Sequence, residues 1–152
     1  MLDVALVWNS ETGTADLAMN GPDLQMDAGL QTPVILSLFT DQLADAADWI
    51  PDGTTNRRGY WGDAPLPNVP EQGKSYLIGS KLWLLDRALQ TQDTLNRAES
   101  YARQALQWMI DDGVVGSLTA TASFPQLAWI DLQIDLFQAG SQQTFSFAWQ
   151  NS

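Results

Sequence analysis

Apolar and polar residues alternate at both ends of this chain and follow a helical spacing between them. At the N-terminus, every second residue from Leu2 to Trp8 is apolar, and a second short run, TADLAM, begins at Thr14. Strict alternation is typical of half-buried strands, and Gly13 in the connection favours the positive φ that a tight turn requires. The pattern predicts a β-hairpin within residues 1–20.

The segment 30–75 predicts one helix followed by a long loop. In QTPVILSLFTD, Thr32 precedes Pro33 and apolar residues recur four apart, which predicts a helix from about residue 33 to 43 with Thr32 as its N-cap. Between Pro51 and Gly73 the chain contains four Pro and four Gly. Because this stretch also carries aromatic residues, we expect an ordered, partner-facing loop.

Residues 80–112 predict a helical pair. Ser80 is positioned to cap KLWLLDRALQ, and Thr91 or Asp93 is positioned to open a longer helix whose apolar residues keep helical spacing. Gly113 stands where a helix commonly ends. Together with the segment near residue 33, three helices are expected.

The last forty residues return to strand periodicity. Apolar residues from Ala128 to Leu136 alternate with a second set, AGSQ supplies a turn, and Phe145, Phe147 and Trp149 alternate in a closing strand. VVGSLTATAS predicts a further strand, so antiparallel strands fill residues 114–150. The order of elements gives an α+β fold, and 152 residues favour a single domain, 1–152.

Composition excludes several classes of chemistry. The chain has no Cys and no His, so thiolate and imidazole sites are absent, and neither a metal-ligand spacing nor a phosphate-binding loop is visible; no cofactor is expected. The formal net charge of −11 argues against a nucleic-acid partner. The N-terminus lacks a secretion signal and no apolar run approaches the ~18–20 residues of a membrane span, so assembly in the cytoplasm and no membrane partner are expected.

Carboxylates are the remaining candidates for acid/base catalysis. Asp131 and Asp135 share one face of a predicted strand, but four residues at ~3.3 Å each separate their backbones by roughly 13 Å. Glycosidase carboxyls lie about 5–9.5 Å apart. Asp111 and Asp112 are adjacent at a predicted helix end. We therefore predict no catalytic residues.

The basic residues are unevenly placed along the chain. Residues 1–56 contain nine Asp or Glu and no Lys or Arg, and Arg57 and Arg58 then stand directly before Gly59, Tyr60 and Trp61. Arg and Trp are enriched at interface hot spots, which makes residues 57–61 a candidate partner contact. The alternative is that an arginine pairs with a nearby Asp and stacks on Trp61 to hold the loop. Under the first interpretation, alanine at both arginines leaves the melting temperature nearly unchanged.

The closing strand is a second candidate contact. Phe145 and Phe147 lie on its apolar face, and a terminal strand is expected at a sheet edge, where it could exchange strands with another chain. An ordinary hairpin strand is the alternative.

Four stretches carry a resemblance to a known family. SLFTD (37–41), RRGYWGD (57–63), GSKLWLLDRALQT (79–91) and AESYARQALQWMIDDGV (98–114) resemble the phage Mu protein 46 family, in the same order and at similar spacing. That family comprises tail baseplate proteins of contractile phages and related prophages. It is similar in role to the small wedge proteins of T-even baseplates, which carry a Glu-Pro-Arg motif after their last long helix. Here the comparable place reads Asp111-Asp112-Gly113.

The resemblance implies a non-enzymatic structural component of a contractile tail baseplate. Implied partners are other wedge proteins and the tail sheath, whose polymerisation the protein would help to start, with several copies in a ring inside the virion. Two alternatives from other classes are a carboxylate-dependent cell-wall hydrolase and a carbohydrate-binding module that uses exposed Trp.

Overall fold

The computed structural model describes residues 3–27, 29–59 and 78–151. Their elements, in chain order, are β1 (Asp3–Val4), β2 (Leu6–Asn9), β3 (Thr14–Leu17), β4 (Met19–Asn20), β5 (Asp23–Leu24), β6 (Met26–Asp27), α1 (Gln31–Phe39), a 3₁₀ helix (Leu82–Leu85), α2 (Gln92–Asp111), β7 (Ser117–Ser123), β8 (Trp129–Gln138) and β9 (Ser141–Gln150). The α+β class is confirmed. Most of the predicted Pro/Gly loop lies outside the described residues.

The N-terminal strands form three short antiparallel ladders that meet at one point. The predicted hairpin is confirmed as β2 paired with β3, with Gly13 at φ 63° in its turn. Two further ladders pair β4 with β5 and β1 with β6. Where they meet, three backbone hydrogen bonds form a ring: Ala5 N–H donates to Gln25 C=O, Gln25 N–H to Ala18 C=O, and Ala18 N–H to Ala5 C=O. The sequence pattern predicted the first ladder only.

Helix α1 is shifted from its predicted range. It begins at Gln31 and ends at Phe39 instead of spanning about 33–43, and Thr32 lies inside it instead of capping it. The Thr32 hydroxyl donates to Val4 C=O and accepts from Leu6 N–H, so it fastens the N-terminal strands to the helix. The helix stops because Thr40 turns to an extended conformation and its carbonyl accepts a hydrogen bond from Ser80 N–H.

The predicted helix after Ser80 is wrong. In its place, one 3₁₀ turn spans Leu82–Leu85, all four residues of which are buried. A surface helix keeps a polar face, whereas this segment enters the interior on every side. The chain then leaves helical geometry at Asp86 and takes φ 61° at Arg87. Two α-helices, not three, are therefore present within residues 3–27, 29–59 and 78–151.

Helix α2 and the C-terminal sheet match their predictions. The Thr91 side chain caps α2 by accepting from Thr94 N–H, and Gly113 follows its end at φ 74°. Strands β7, β8 and β9 form an antiparallel sheet in that order. The alternating side chains of β8, from Ile130 to Leu136, are fully buried. They form the core together with α1, α2 and the 3₁₀ turn.

Across the described ranges, no helix combines the length and apolar character that crossing a bilayer requires.

Candidate functional site

Arg58 lies at the rim of a groove and makes two contacts within this chain. Its Nη1 atom is 2.8 Å from Asp41 Oδ2, and its guanidinium lies over the Trp83 ring, 4.4 Å from the centroid. Asn56 Oδ1 accepts from the Arg58 backbone N–H, which supports the positive φ of 54° at this residue. Arg58 thus pairs with a nearby Asp, as the alternative interpretation expects, and its stacking ring among the described residues is Trp83. Stacking on Trp61 stays a prediction.

Arg57 is also engaged within the chain. Its Nε donates to Ala44 C=O at 2.7 Å, its Nη2 donates to the same oxygen, and Ala44 N–H donates back to Arg57 C=O at 3.0 Å. Gly59 takes φ 102°, and a Cβ there would lie 3.1 Å from Leu43 Cβ. Residues 57–59 are therefore fastened along residues 41–44.

Tyr60 and Trp61 lie outside the described residues, so their predicted contact stays a prediction.

The groove beside Arg58 has a volume of about 650 Å³. Aromatic side chains line much of it, and within it Trp8 and Phe39 stack with ring centroids 3.8 Å apart. Its charged lining residues are Asp41, Arg58 and Asp86. The groove thus joins the β2–β3 hairpin, the end of α1, the 3₁₀ turn and the C-terminal end of β9.

Asp86 is the carboxylate in this groove that lacks a direct partner among the described residues. Burial raises the pKa of its carboxyl above the ordinary value of 3.8; the charge of Asp41 acts in the same direction, while Arg58 and Arg87 oppose it. A half-buried carboxylate without a hydrogen bond destabilises the fold when ionised.

We expect Asp86→Asn to raise the melting temperature at neutral pH. A raised folded-state pKa means that the ionised form destabilises the protein fully above that pKa, and this effect vanishes below the unfolded value of 3.8. The gain should therefore be present at about pH 7 and absent at about pH 3. Thermal melts of both proteins across this range test it, with the exposed Asp23→Asn as control. An equal gain at both pH values would show that charge is not its cause.

Lys81 forms ion pairs with the loop at residues 45–48. Its Nζ is 2.6 Å from Asp45 Oδ2 and 2.9 Å from Asp48 Oδ2. Burial opposes ionisation of Asp48, but hydrogen bonds from Lys81 and from Asp45 N–H outweigh it and lower the pKa of that carboxyl. The Asp45 side chain is 70% exposed, whereas Lys81 and Asp48 are 12% and 24% exposed, so the pair with Asp48 is the one that ties this loop to the residue before the 3₁₀ turn.

The two aromatic residues assigned to the second candidate contact pack within this chain. Phe147 is 3% exposed and belongs to the core, and Phe145 is partly buried against it. Neither ring forms an exposed apolar face. The available feature of β9 is its backbone edge.

The free edge of β9 can be located from one hydrogen bond. Trp8 Nε1 donates to Ala148 C=O at 2.9 Å, which places the backbone groups of Ala148 on the side away from β8. In an antiparallel strand, the backbone N–H and C=O groups of alternate residues face opposite sides. The backbone groups of Ser146 and Thr144 therefore also point away from β8. Within the described part of the chain, no strand pairs with this edge.

The carboxylates considered for catalysis have ordinary polar partners. Asp131 accepts from the Ser146 hydroxyl at 2.9 Å, and Asp135 accepts from Thr144 at 2.7 Å. The hydrogen bond from Thr144 is the main cause that lowers the pKa of Asp135. Among the residues that the structure describes, no group of three or more carboxylates is arranged to hold a metal ion.

Sequence reasoning missed three groove residues: Asp41, Trp83 and Asp86. Trp83 is 6% exposed and packs in the interior, and its ring also carries the Arg58 guanidinium. The available signal was that SLFTD and RRGYWGD contribute Asp41 and Arg58 to this cluster, and that KLWLLD contributes both Trp83 and Asp86. Only the fold brings these separated stretches together.

The comparisons with known proteins agree with the resemblance in the sequence. Residues 30–143 match the family described as Phage protein GP46. Baseplate protein gp46 of Escherichia phage Mu is 40% identical over 136 residues, covering 90% of this chain and 87% of that protein. The Mu-like prophage FluMu protein gp46 of Haemophilus influenzae is 38% identical over 152 residues, covering 98% of each. The chain therefore belongs to the phage protein GP46 family.

Proposed function

We infer that this protein is a structural component of a phage tail baseplate. The observation that carries the inference is the 40% identity to a protein named as a baseplate protein, over 90% of this chain. The inferred location is the tail of the virion, after assembly in the host cytoplasm. Asp131 and Asp135 of β8, which accept hydrogen bonds from Ser146 and Thr144 of β9, support a non-enzymatic role.

The test is genetic and structural. Deleting the gene from the parent phage or prophage should give particles without complete baseplates in electron micrographs, and supplying the protein in trans should restore them. Normal tails after deletion would overturn the inference.

The hydrolase alternative predicts a different result. Purified protein should leave no lytic zone in a peptidoglycan zymogram. A zone that disappears in Asp131→Asn or Asp135→Asn would replace the structural role with an enzymatic one.

At finer detail, we propose that the protein joins other baseplate proteins into wedges, in several copies around a ring. The Arg58 groove is the proposed contact, because it combines aromatic walls, both signs of charge and Asp86, which has no direct partner among the described residues. Aromatic and arginine side chains are enriched at interface hot spots. Tyr60 and Trp61 belong to the same proposal by their place in the sequence.

The structure changes the expected effect of removing the two arginines. Arg57→Ala with Arg58→Ala deletes the hydrogen bonds to Ala44 and the stacking on Trp83, so a lower melting temperature is expected instead of an unchanged one. Because the Arg58–Asp41 pair is partly exposed, its own contribution is only about 0–1 kcal/mol. Baseplate incorporation should be measured well below the melting temperature, with the exposed Arg103→Ala as control. Normal incorporation of the double variant would remove these arginines from the contact.

The edge of β9 is the proposed contact with the tail sheath. An unpaired strand edge templates a strand from another chain through main-chain hydrogen bonds. The support is positional: Thr144 and Ser146 direct their backbone groups away from β8, and no described strand covers them.

Ser146→Pro tests strand addition at that edge. Proline removes an N–H that points away from β8 and bonds nothing among the described residues, so the variant should fold, yet it should fail to start full-length sheath. Ser146→Ala controls for the lost hydroxyl bond to Asp131 and should assemble normally. Gln143→Pro removes an N–H that faces β8 and should destabilise the fold. Full-length sheath with the folded Ser146→Pro protein would rule out this edge.

A further inference from the structure

In the Arg58 groove, Arg58 and Asp41 pair with each other, whereas Asp86 has no direct partner. Among the described residues that line the groove, Arg58 is the one cation, and Asp41 and Asp86 are the two carboxylates. Arg58 Nη1 lies 2.8 Å from Asp41 Oδ2, and the guanidinium also stacks on Trp83. Asp86 makes no hydrogen bond or ion pair with any described residue. The lining of the groove therefore has one carboxylate more than its arginine pairs with.

Neighbouring charges do not replace a direct partner for Asp86. Burial raises the pKa of its carboxyl above 3.8 and Asp41 adds to this, although Arg58 and Arg87 act in the opposite direction. Arg87 is exposed and does not line the groove. A carboxylate that is partly withdrawn from water is stabilised by a donor in direct contact. A side chain that destabilises the free protein in this way is typical of a functional position, where a bound partner supplies the missing contact.

The walls of the groove suit a long cationic side chain. Trp8 and Phe39 stack with centroids 3.8 Å apart, Trp149 meets Phe39 edge-to-face at 5.6 Å, and all three rings line the groove. Aromatic faces attract cations, and Arg and Lys lay their apolar stems along such surfaces while the charged end reaches a polar group. Arg58 already has this arrangement, on Trp83 with its end at Asp41.

We propose that the Arg58 groove receives an Arg or Lys side chain of a neighbouring baseplate protein, whose charged end forms an ion pair with Asp86. The proposal rests on the proposed baseplate function and deepens it by stating the chemistry of the partner at the wedge contact. Two carboxylates against one arginine make the groove complementary to a cation. A neutral donor would supply a hydrogen bond but would leave the negative charge of Asp86 buried without a counter-charge.

Asp86→Asn tests the charge, because asparagine keeps the size of the side chain and one acceptor oxygen. Each protein is supplied in limiting amount to a phage lacking the gene, and its incorporation into baseplates is measured well below the melting temperature. Asp86→Asn should lose at least about tenfold in incorporation, although its melting temperature is not lowered. The exposed Asp23→Asn removes the same charge outside the groove and should match wild type. Equal incorporation of Asp86→Asn and wild type, or an equal loss in both variants, overturns the proposal.

A photo-crosslinking residue at the rim of the groove identifies the partner. Leu36 lines the groove and is 50% exposed, so Leu36→p-benzoylphenylalanine should fold and should crosslink a baseplate protein within a segment that contains Arg or Lys. Replacing that basic residue with Gln should reduce incorporation as much as Asp86→Asn does. Combining the two changes should add no further loss, because both remove the same ion pair.

The crosslink also separates this proposal from the function on which it rests. A crosslink to a segment without Arg or Lys, to a second copy of this chain or within the same chain overturns the proposal, and so do additive losses from the two substitutions. Failure of the wild-type protein itself to enter baseplates would instead overturn the proposed function.

Discussion

Gly79→Ala should prevent the native fold from forming. A Cβ at this position would lie 2.1 Å from Thr40 O and 2.7 Å from Thr40 C, and φ is 97°. The obstructing atoms are backbone, so no side chain can move aside. The clash falls where Ser80 N–H donates to Thr40 C=O and Gln42 N–H donates to Ser80 C=O. We expect a loss of more than about 4 kcal/mol, in the range that marks exceptional substitutions.

A second glycine separates steric overlap from backbone conformation. Gly113 also has a positive φ, 74°, but a Cβ there would meet no atom within 4 Å. Gly113→Ala should therefore cost only about 1–2 kcal/mol, the penalty of a left-handed conformation. Thermal melts and near-ultraviolet circular dichroism compare the two variants. Similar melting temperatures would mean that residue 79 does not approach Thr40 closely.

The contact of residues 79–80 with the end of α1 explains why the helix predicted after Ser80 was wrong, while the prediction of α2 was right. Helix α2 forms one apolar stripe with a polar opposite face and has a capping threonine, all of which are local signals. The segment after Ser80 has apolar residues in succession, which local rules read as helix. Its conformation is instead set at Ser80, which is 1% exposed. The Ser80 hydroxyl donates to Leu38 C=O, a residue far away in the sequence, and accepts from Leu82 N–H at the start of the 3₁₀ turn.

The candidate sites could be predicted only in part for the same reason, since contacts between distant residues decide them. Composition and alternation locate Arg58 and β9 as unusual, but alternation does not reveal which side of a terminal strand faces the core. Trp149 and Phe147 occupy alternate positions on β9, so their side of the strand could have faced a partner or this chain. The answer depends on Trp8 and Phe39, which are distant in sequence and complete an aromatic cluster with Phe147.

Phe147→Ala should therefore lower the stability of the fold, and any loss of assembly should follow from that. The ring lies 5.4 Å from Phe39 and 6.2 Å from Trp8 between centroids, both in edge-to-face geometry. Truncating a buried phenylalanine leaves a cavity and costs about 3–5 kcal/mol. For a domain of this size, the melting temperature should fall by roughly 6–20 °C.

The half-buried Phe145 supplies the comparison on the same strand. Phe145→Ala deletes the same atoms from a position that is only partly buried, so its cost should be clearly smaller. If Phe147 acted mainly at an interface, its variant would melt near wild type and fail only in baseplate incorporation. Chemical denaturation, which gives the free energy of unfolding directly, distinguishes these outcomes. A large loss for Phe147→Ala assigns the ring to the core and leaves the backbone edge as the feature of β9 that a partner can reach.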